Sequence, residues 1–157
     1  MRKRIVGPAS KVAPAADDDW LDLEHLAEIE VSSEDPEHPV ESALLPGHDR
    51  GWRAAGPGEQ VLRIRFDEPQ RLRRIWIRFD EPSTERTQQF TLRWQPADGS
   101  ATREIVRQQW TFSPQGAVQE TEDYRVELPG VALLELSIVP ELQGGEARAC
   151  LSSLRLA

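Results

Sequence analysis

The stretch VLRIRFDEPQRLRRIWIRF, residues 61–79, decides the fold class, because apolar and other residues alternate through both of its ends. In VLRIRF, residues 61–66, arginines separate Leu62, Ile64 and Phe66. In RRIWIRF, residues 73–79, the alternating apolar positions are Ile75, Ile77 and Phe79. A period of two is typical of a β-strand that is buried on one face. The stretch therefore predicts two strands, with the polar, proline-containing FDEPQR as a turn between them.

The same alternation recurs along the chain in AEIEVSS, FTLRW, REIVRQQW, DYRVELP, LLELSIV and ACLSSLRLA. Polar segments with Pro or Gly separate these runs, among them FDEPSTERT, PADGS, FSPQGA, LPGV and ELQGG. About eight short strands without a long helix predict an all-β sandwich or jelly roll. We expect an inward-facing set made of Ile29, Val31, Leu62, Ile64, Phe66, Ile75, Ile77, Phe79, Leu92, Leu136 and Ile138.

The chain divides into an amino-terminal arm and one domain. Residues 1–19 contain Ala, Pro and charged residues without periodicity and end in three aspartates, which predicts a mobile arm. Residues 20–157 have the size of a single domain with its own core. At the start of this domain, WLDLEHL places Trp20, Leu23 and Leu26 on one side of a short helical turn.

The charge of the chain limits its partners. The formal net charge is −8, whereas nucleic acids and anionic membranes are bound chiefly by an excess of Lys and Arg. We therefore expect neither partner. No stretch is long and apolar enough for a membrane span or a secretory signal, so we expect a cytoplasmic protein.

Catalytic and metal-binding patterns are weak. The single cysteine, Cys150, cannot form an internal disulfide or a multi-cysteine metal site. The three histidines have no short ligand spacing, and pairs of acidic residues arise by chance among 27 carboxylates. The sequence has neither a glycine-rich phosphate loop nor a G-x-S-x-G elbow. We expect a protein that is not an enzyme and needs no cofactor.

The order of segments resembles a known family. EVSSEDPEHPVESALLPGHDRGW is followed by GEQVLRIRFDEPQRLRRIWIRF, FTLRW with a DG turn, and ELSIVPELQGGEARACLSSLRL. This order, over residues 26–157, resembles the galactose-binding-like jelly roll of discoidin and coagulation-factor type C domains and of bacterial carbohydrate-binding modules. Locally, residues 32–60, with Trp-Arg-Ala-Ala and a following Gly-Glu, are similar to the amino-terminal domains of X-ray repair cross-complementing scaffold proteins, which act as protein-interaction modules.

The tryptophan of GHDRGWRAAG, Trp52, could be displayed for binding or could close one end of the core. The family resemblance implies the second role, because the tryptophan after the first long loop packs under the end of the barrel. Gly51 would allow a close approach there, and Ala54 and Ala55 would leave room. We expect Trp52 to be buried.

The family often holds calcium in this same loop. Asp49 is present, but Arg50 and Gly51 occupy the position of a hydroxyl ligand, and Ser152 and Ser153 that of an acidic one. Calcium takes six to eight oxygen ligands. We therefore expect no calcium site and expect the positive charge of Arg50 in its place.

The most suggestive segments for binding are RTQQFTLRW, residues 86–94, and REIVRQQWTFSPQGA, residues 103–117. They bring Arg86, Arg107, Gln109 and Trp110 near strand ends, and aromatic faces with guanidinium and amide groups are suited to grip a sugar or a peptide. Alternatively, Trp110 belongs to the core and its polar neighbours to an exposed strand face. Because Arg86 precedes one strand and Trp110 ends the next, we expect them at the same end of the sandwich.

Two functions fit these observations. The first is a non-catalytic carbohydrate-binding, lectin-like module, which should display an aromatic platform beside a polar concavity. The second is a protein-interaction module of the same fold, which should display an apolar patch or an open strand edge. The positions of Trp20, Trp76, Trp94 and Trp110 should distinguish the two functions.

Overall fold

The computed structural model describes residues 20–48 and 50–157. The predicted amino-terminal arm, residues 1–19, lies outside the described residues. Two single-turn helices and eight strands form the described part of the chain. In chain order they are α1 (Leu23–Leu26), β1 (Ala27–Val31), α2 (Glu41–Leu44), β2 (Trp52–Pro57), β3 (Gln60–Asp80), β4 (Arg86–Pro96), β5 (Arg103–Phe112), β6 (Gln119–Val139), β7 (Arg148–Leu151) and β8 (Ser153–Leu156).

The strands form two antiparallel sheets. The larger has the order β1-β3-β6-β4-β5, with β8 paired to the second half of β3, and the smaller contains β2 and β7. This is the predicted all-β jelly-roll sandwich. The helical turn predicted in WLDLEHL is present as α1, whereas α2 was not predicted. None of the helices in the described ranges has the length and apolar character needed to cross a membrane.

Two of the predicted turns are wrong, because β3 and β6 run through them. Each strand has 21 residues, about twice the upper end of the usual length. The predicted turns FDEPQR and LPGV face each other in the ladder, where the pairing register shifts between Arg65 and Arg74. Such irregularities bend and twist a strand pair. Pro69 and Gly130 therefore mark a corner at which both strands bend, and the chain does not reverse there.

This corner lets β3 contribute to both layers of the sandwich. Before it, even-numbered residues such as Leu62 and Ile64 are buried, and after it the odd-numbered Ile75 and Ile77 are buried in the same core. All eleven residues expected to face inward belong to this core or pack against it. Ile29 and Val31 are only half-buried, because β1 is an edge strand.

Trp52 closes one end of the core, as expected. Its side chain is only 2% exposed, and its indole N–H donates a hydrogen bond of 3.0 Å to the carbonyl oxygen of Ser33. Gly51 has a φ of +68°, and a Cβ at this position would lie 2.7 Å from the carbonyl oxygen of Leu151. The glycine is therefore required both for its backbone conformation and for the close approach of β7.

Candidate functional site

A cleft of about 710 Å³ lies at the end of the sandwich where β3 and β6 finish and β4 and β7 begin. Val139 at the end of β6 pairs with Gln89 near the start of β4, and the loop of residues 81–85 joins the end of β3 to β4. The loop of residues 81–85 forms one side of the cleft, and the loop of residues 140–147 contributes to the opposite side. Outward-facing residues of β2 and β7 complete the wall. A polar concavity of this size is suited to a small-molecule or sugar ligand.

Arg86, one of the predicted site residues, lines this cleft and is buried, with a side chain that is 1% exposed. Its Nε donates to Glu81 Oε1 at 2.8 Å, and its Nη1 donates to the carbonyl oxygen of Pro140 at 2.8 Å and to Gln88 Oε1 at 3.3 Å. The guanidinium carbon also lies 4.8 Å from the ring centroid of Phe112. Arg86 therefore connects both loops of the cleft and positions them.

A second polar contact strengthens the connection between β4 and the loop of residues 140–147. The backbone N–H of Thr87 donates to Glu141 Oε2 at 3.1 Å, and the N–H of Leu142 donates to the carbonyl oxygen of Thr87 at 2.9 Å. Glu141 also accepts a hydrogen bond from the N–H of Gln143. The loop is therefore held to the sheet by both side-chain and backbone contacts.

The wall formed by β2 and β7 carries the exposed arginines Arg53 and Arg148. Trp52 pairs with Leu151, and both side chains are buried, so the adjacent Arg53 and its partner Cys150 face outward. Arg148 faces the same way, two residues before Cys150. Neither Arg53 nor Arg148 has a salt-bridge or hydrogen-bond partner for its guanidinium among the described residues. Both groups are available to a ligand.

Most acidic groups of the cleft are already engaged. Glu81 binds Arg86. Although burial opposes the shift, hydrogen bonds from Ser152 and Gln119 and the guanidinium of Arg78 lower the pKa of Asp80. This aspartate is therefore ionised and held in place at neutral pH.

Cys150, on β7, also lines the cleft. Its Sγ accepts a hydrogen bond from Arg86 Nη2 at 3.4 Å, and burial raises the pKa of the thiol. A neutral thiol is a poor nucleophile. The residue as a whole is half-buried.

The structure does not bring the four predicted site residues to one surface. Arg86 pairs with Phe112, and Trp110 pairs with Gln88 two positions along, so Arg86 and Trp110 lie at the same end of the sandwich, as expected. Trp110 is half-buried and packs against the core.

Arg107 and Gln109 lie on the opposite face of β5, where Arg107 pairs with Glu104 and Gln109 donates to Gln89 Oε1. Only Arg86 lines the cleft.

Sequence reasoning missed Arg53 and Arg148, although a signal was present. WRAAG and ARACL each place an arginine between small or apolar residues with strand periodicity. In each case the neighbouring apolar side chain, Trp52 or Ala149, is buried, so the arginine must face outward. The sequence pattern does not show that these two segments pair to form one small sheet.

The aromatic platform expected for a lectin is not found among the described residues of the cleft, where Trp52 is buried and the imidazole of His38 is half-buried. Elsewhere, Trp76 and Trp94 are buried, and Trp20 and Trp110 are half-buried. Trp20 lies under Arg74, with 4.7 Å between the guanidinium carbon and the ring centroid. Among the described residues, Leu142, at 43%, is the exposed large hydrophobic side chain, and a small hollow of about 200 Å³ is lined mainly by apolar residues of α1, β1 and α2, such as Leu23, Ile29 and Leu44.

The loop considered for calcium adjoins this cleft. Asp49 lies outside the described residues, whereas Arg50 lines the cleft and is exposed. The Ser152 N–H donates to the carbonyl oxygen of Arg78 at 2.9 Å, and its hydroxyl contributes to holding Asp80. The absence of calcium and the charge-replacement role of Arg50 stay predictions.

A buried polar chain extends from Arg86 into the sandwich. Gln88 accepts from Arg86 and donates from Nε2 to Glu120 Oε1 at 3.0 Å. Glu120 is buried, and this burial, together with the charge of Glu122, raises the pKa of Glu120 to about 7, while the Gln88 hydrogen bond opposes the shift. Glu120 Oε2 has no hydrogen-bond partner among the described residues. The carboxyl group therefore titrates near neutral pH.

Comparisons with known proteins place this fold. No protein-family model and no curated protein sequence matches the chain. Among solved structures, a family 32 carbohydrate-binding module from Clostridium perfringens NanJ in complex with galactose aligns with a TM-score of 0.57 and 12% identity, covering 83% of this chain and 92% of that one. Reduced XRCC1 bound to the DNA polymerase β catalytic domain aligns with a TM-score of 0.58 and 14% identity, covering 84% and 95%.

A larger enzyme contains the same fold as one part. The GH29 fucosidase E1_10125 of Ruminococcus gnavus, as a D221A mutant in complex with fucose, aligns with a TM-score of 0.60 and 9% identity over 83% of this chain. The chain spans only 24% of the length of that enzyme. The resemblance inferred from the order of segments is thus confirmed for the fold. The chain adopts the same galactose-binding-like jelly roll as family 32 carbohydrate-binding modules and the XRCC1 domain.

Proposed function

We propose that the chain is a non-catalytic carbohydrate-binding module and that its ligand site is the cleft beside Arg53 and Arg148. The single observation that carries the proposal is a polar cleft whose loops are tied together by buried Arg86 while exposed guanidinium groups, those of Arg53 and Arg148 among them, remain without a protein partner among the described residues. Preorganised walls reduce the entropy lost on binding, and the free donors can bind sugar oxygens. The resemblance to carbohydrate-binding modules in fold supports the same function.

The test is a glycan array with the wild-type chain, followed by calorimetry with the best ligand. Arg53→Ala and Arg148→Ala should each weaken binding about 10- to 100-fold, because a hydrogen bond to a charged group contributes about 1.5–3 kcal/mol. Arg125→Ala is the matched control, since Arg125 is exposed on β6 outside the cleft and has no partner among the described residues. Thermal melting should verify that all variants fold.

Two results would count against the proposal. Wild-type protein that binds no glycan on the array would contradict the carbohydrate function. Binding that is unchanged in both cleft variants, but lost in Arg107→Ala or Trp110→Ala at normal melting temperature, would move the site to the segment that the sequence first suggested.

A protein-interaction module is the second candidate, and one observation favours it. In the described residues β5 pairs with β4 alone, so one edge of a ten-residue strand is open. Open strand edges can pair with an extended segment of another protein. The XRCC1 domain of similar fold has been solved in complex with the catalytic domain of DNA polymerase β, which supports this alternative.

Hydrogen–deuterium exchange distinguishes the two candidates. A protein partner that adds a strand should protect the amides of Arg103–Phe112 from exchange. A glycan in the cleft should leave these amides unchanged and should protect the loops of residues 81–85 and 140–147. We expect the second pattern.

A further inference from the structure

The arginine wall, formed by Arg53 and Arg148, bears on the class of sugar. Several arginines on the strand faces of this acidic chain have a carboxylate partner: Arg63 pairs with Glu135, and Arg65 pairs with Glu30. Arg53 and Arg148 have no such partner among the described residues, and they project from neighbouring strands into the same cleft. Two uncompensated positive charges on one wall favour an anionic group on the ligand.

The acids of the cleft do not neutralise this wall. Asp80 is held by Arg78, Gln119 and Ser152, and Glu81 by Arg86. Glu141 accepts from the backbone N–H groups of Thr87 and Gln143. The other two acids, Glu85 and Glu146, are exposed on the two loops and form no salt bridge with Arg53 or Arg148. The cleft therefore has a cationic wall and a rim of oxygen acceptors.

The missing aromatic platform gives an independent argument. Neutral sugars in concave sites gain much of their affinity by stacking on an exposed aromatic ring. Here Trp52 is 2% exposed, and the other ring among the described lining residues is the half-buried imidazole of His38, so no Trp, Tyr or Phe face is displayed. Affinity must then come from charge and hydrogen bonds. A guanidinium binds a carboxylate through two parallel hydrogen bonds, which supplies both strength and orientation.

We infer that the cleft selects sugars that carry a carboxylate, such as uronic acids, with the carboxylate on Arg53 and Arg148 and the ring hydroxyls toward the acidic and hydroxyl groups of the two loops. This inference rests on the proposed carbohydrate-binding function. The hydroxyl groups of Ser83 and Thr84 stand on the loop of residues 81–85 and can accept or donate to ring hydroxyls.

The experiment is calorimetry on the full chain with oligomers of galacturonate, mannuronate and glucuronate and with sialyllactose, each paired with its methyl ester. The ester removes the charge and leaves the ring unchanged. At least one free acid should bind about 10-fold or more tightly than its ester, and the difference should shrink as the salt concentration rises. Arg53→Ala and Arg148→Ala should lower affinity for that acid at least about 10-fold and affinity for the ester less than about 3-fold, whereas Arg125→Ala should change neither.

The two possible failures are distinguishable. If no acid is preferred over its ester while a neutral glycan from the array binds, the inference about the carboxylate is overturned and the carbohydrate function stands. If neither the acids, the esters nor any glycan of the array binds, the carbohydrate function itself is wrong. An acid preference that survives unchanged in both arginine variants also overturns the assignment of the carboxylate to this wall.

Discussion

Arg86 Nη1 lies 2.8 Å from the carbonyl oxygen of Pro140, a residue 54 positions later in the chain. The same guanidinium binds Glu81 at 2.8 Å through Nε. One buried side chain thus joins the loop after β3 to the loop after β6, and the shape of the cleft between these loops depends on it. The interaction combines a buried ion pair with a hydrogen bond to the backbone, so loss of the arginine leaves several groups without a partner.

Arg86→Ala should reduce the free energy of unfolding by about 3–5 kcal/mol, because removal of one partner leaves the other charge uncompensated in a buried setting. Urea unfolding measures this loss. Arg107→Ala, which breaks an exposed pair with Glu104, should cost less than about 1 kcal/mol. An Arg86→Ala protein with wild-type stability and no glycan binding would show instead that Arg86 contacts the ligand directly, as the sequence first suggested.

Gly51→Ala should be considerably more damaging than Gly58→Ala. Both glycines have positive φ, but a Cβ at Gly51 would meet the Leu151 carbonyl at 2.7 Å, whereas nothing lies within 4 Å of a Cβ at Gly58. The backbone conformation alone costs about 1–2 kcal/mol in each variant, and Gly51→Ala adds the displacement of β7. Equal melting temperatures for the two variants would contradict this account of the close approach.

Trp52→Ala should lower stability by about 3–5 kcal/mol, the range for truncation of a large core aromatic residue. The variant also loses the hydrogen bond from the indole N–H to Ser33. Trp20→Ala is a suitable comparison because Trp20 is half-buried and its truncation should cost clearly less. Chemical denaturation measures both losses, and an unchanged transition for Trp52→Ala would mean that the ring does not close the core.

Stability should fall as pH rises from about 4.5 to about 7 because of Glu120. The pKa of this carboxyl is raised from 4.5 to about 7 in the folded protein, mainly by burial, so the folded chain binds more protons than the unfolded chain over this range. The contribution is therefore fully present below about pH 4.5 and lost above about pH 7. One pKa unit of difference between the folded and unfolded chains changes the free energy of unfolding by about 1.4 kcal/mol. The rise from 4.5 to about 7 therefore changes the free energy of unfolding by about 3 kcal/mol in total.

Glu120→Gln tests this effect, because the amide cannot ionise. Between about pH 5 and about pH 8 the free energy of unfolding of the wild type should fall by about 2 kcal/mol more than that of the variant. Glu127→Gln, which changes an exposed glutamate paired with Arg71, should behave as the wild type apart from a small constant offset. Parallel pH profiles for wild type and Glu120→Gln would contradict burial of an ionisable Glu120.

The fold could be predicted from sequence where local alternation determines which side chains face inward. Ile64 and Ile77 are examples, and each needs only its own strand to define the pattern. Pro69 and Gly130 were misinterpreted as turn residues, because a corner in a long strand pair uses the same residue types as a turn. What separates the two is whether the partner strand bends at the same place, and that is a long-range property.

The site was harder to predict for the same physical reason. Arg86 stands at the start of a polar segment and looks exposed in sequence, but it is buried because Glu81 and Pro140 come to it from both sides. Arg53 and Arg148 have no sequence proximity, and only the pairing of β2 with β7 puts them on one wall. Side-chain periodicity indicates which way a residue faces, whereas the cleft depends on which loops meet at the end of the sandwich.

Binding of a glycan in the cleft between the two loops can be measured by a titration that locates the ligand. Amide chemical shifts of isotopically labelled protein should be followed by NMR as the glycan selected on the array is added. We expect the shifts to concentrate at Arg53, Ser83, Gly144 and Cys150 and β5 to be unaffected. Shifts concentrated at Arg107, Gln109 and Trp110, with the cleft unchanged, would contradict it.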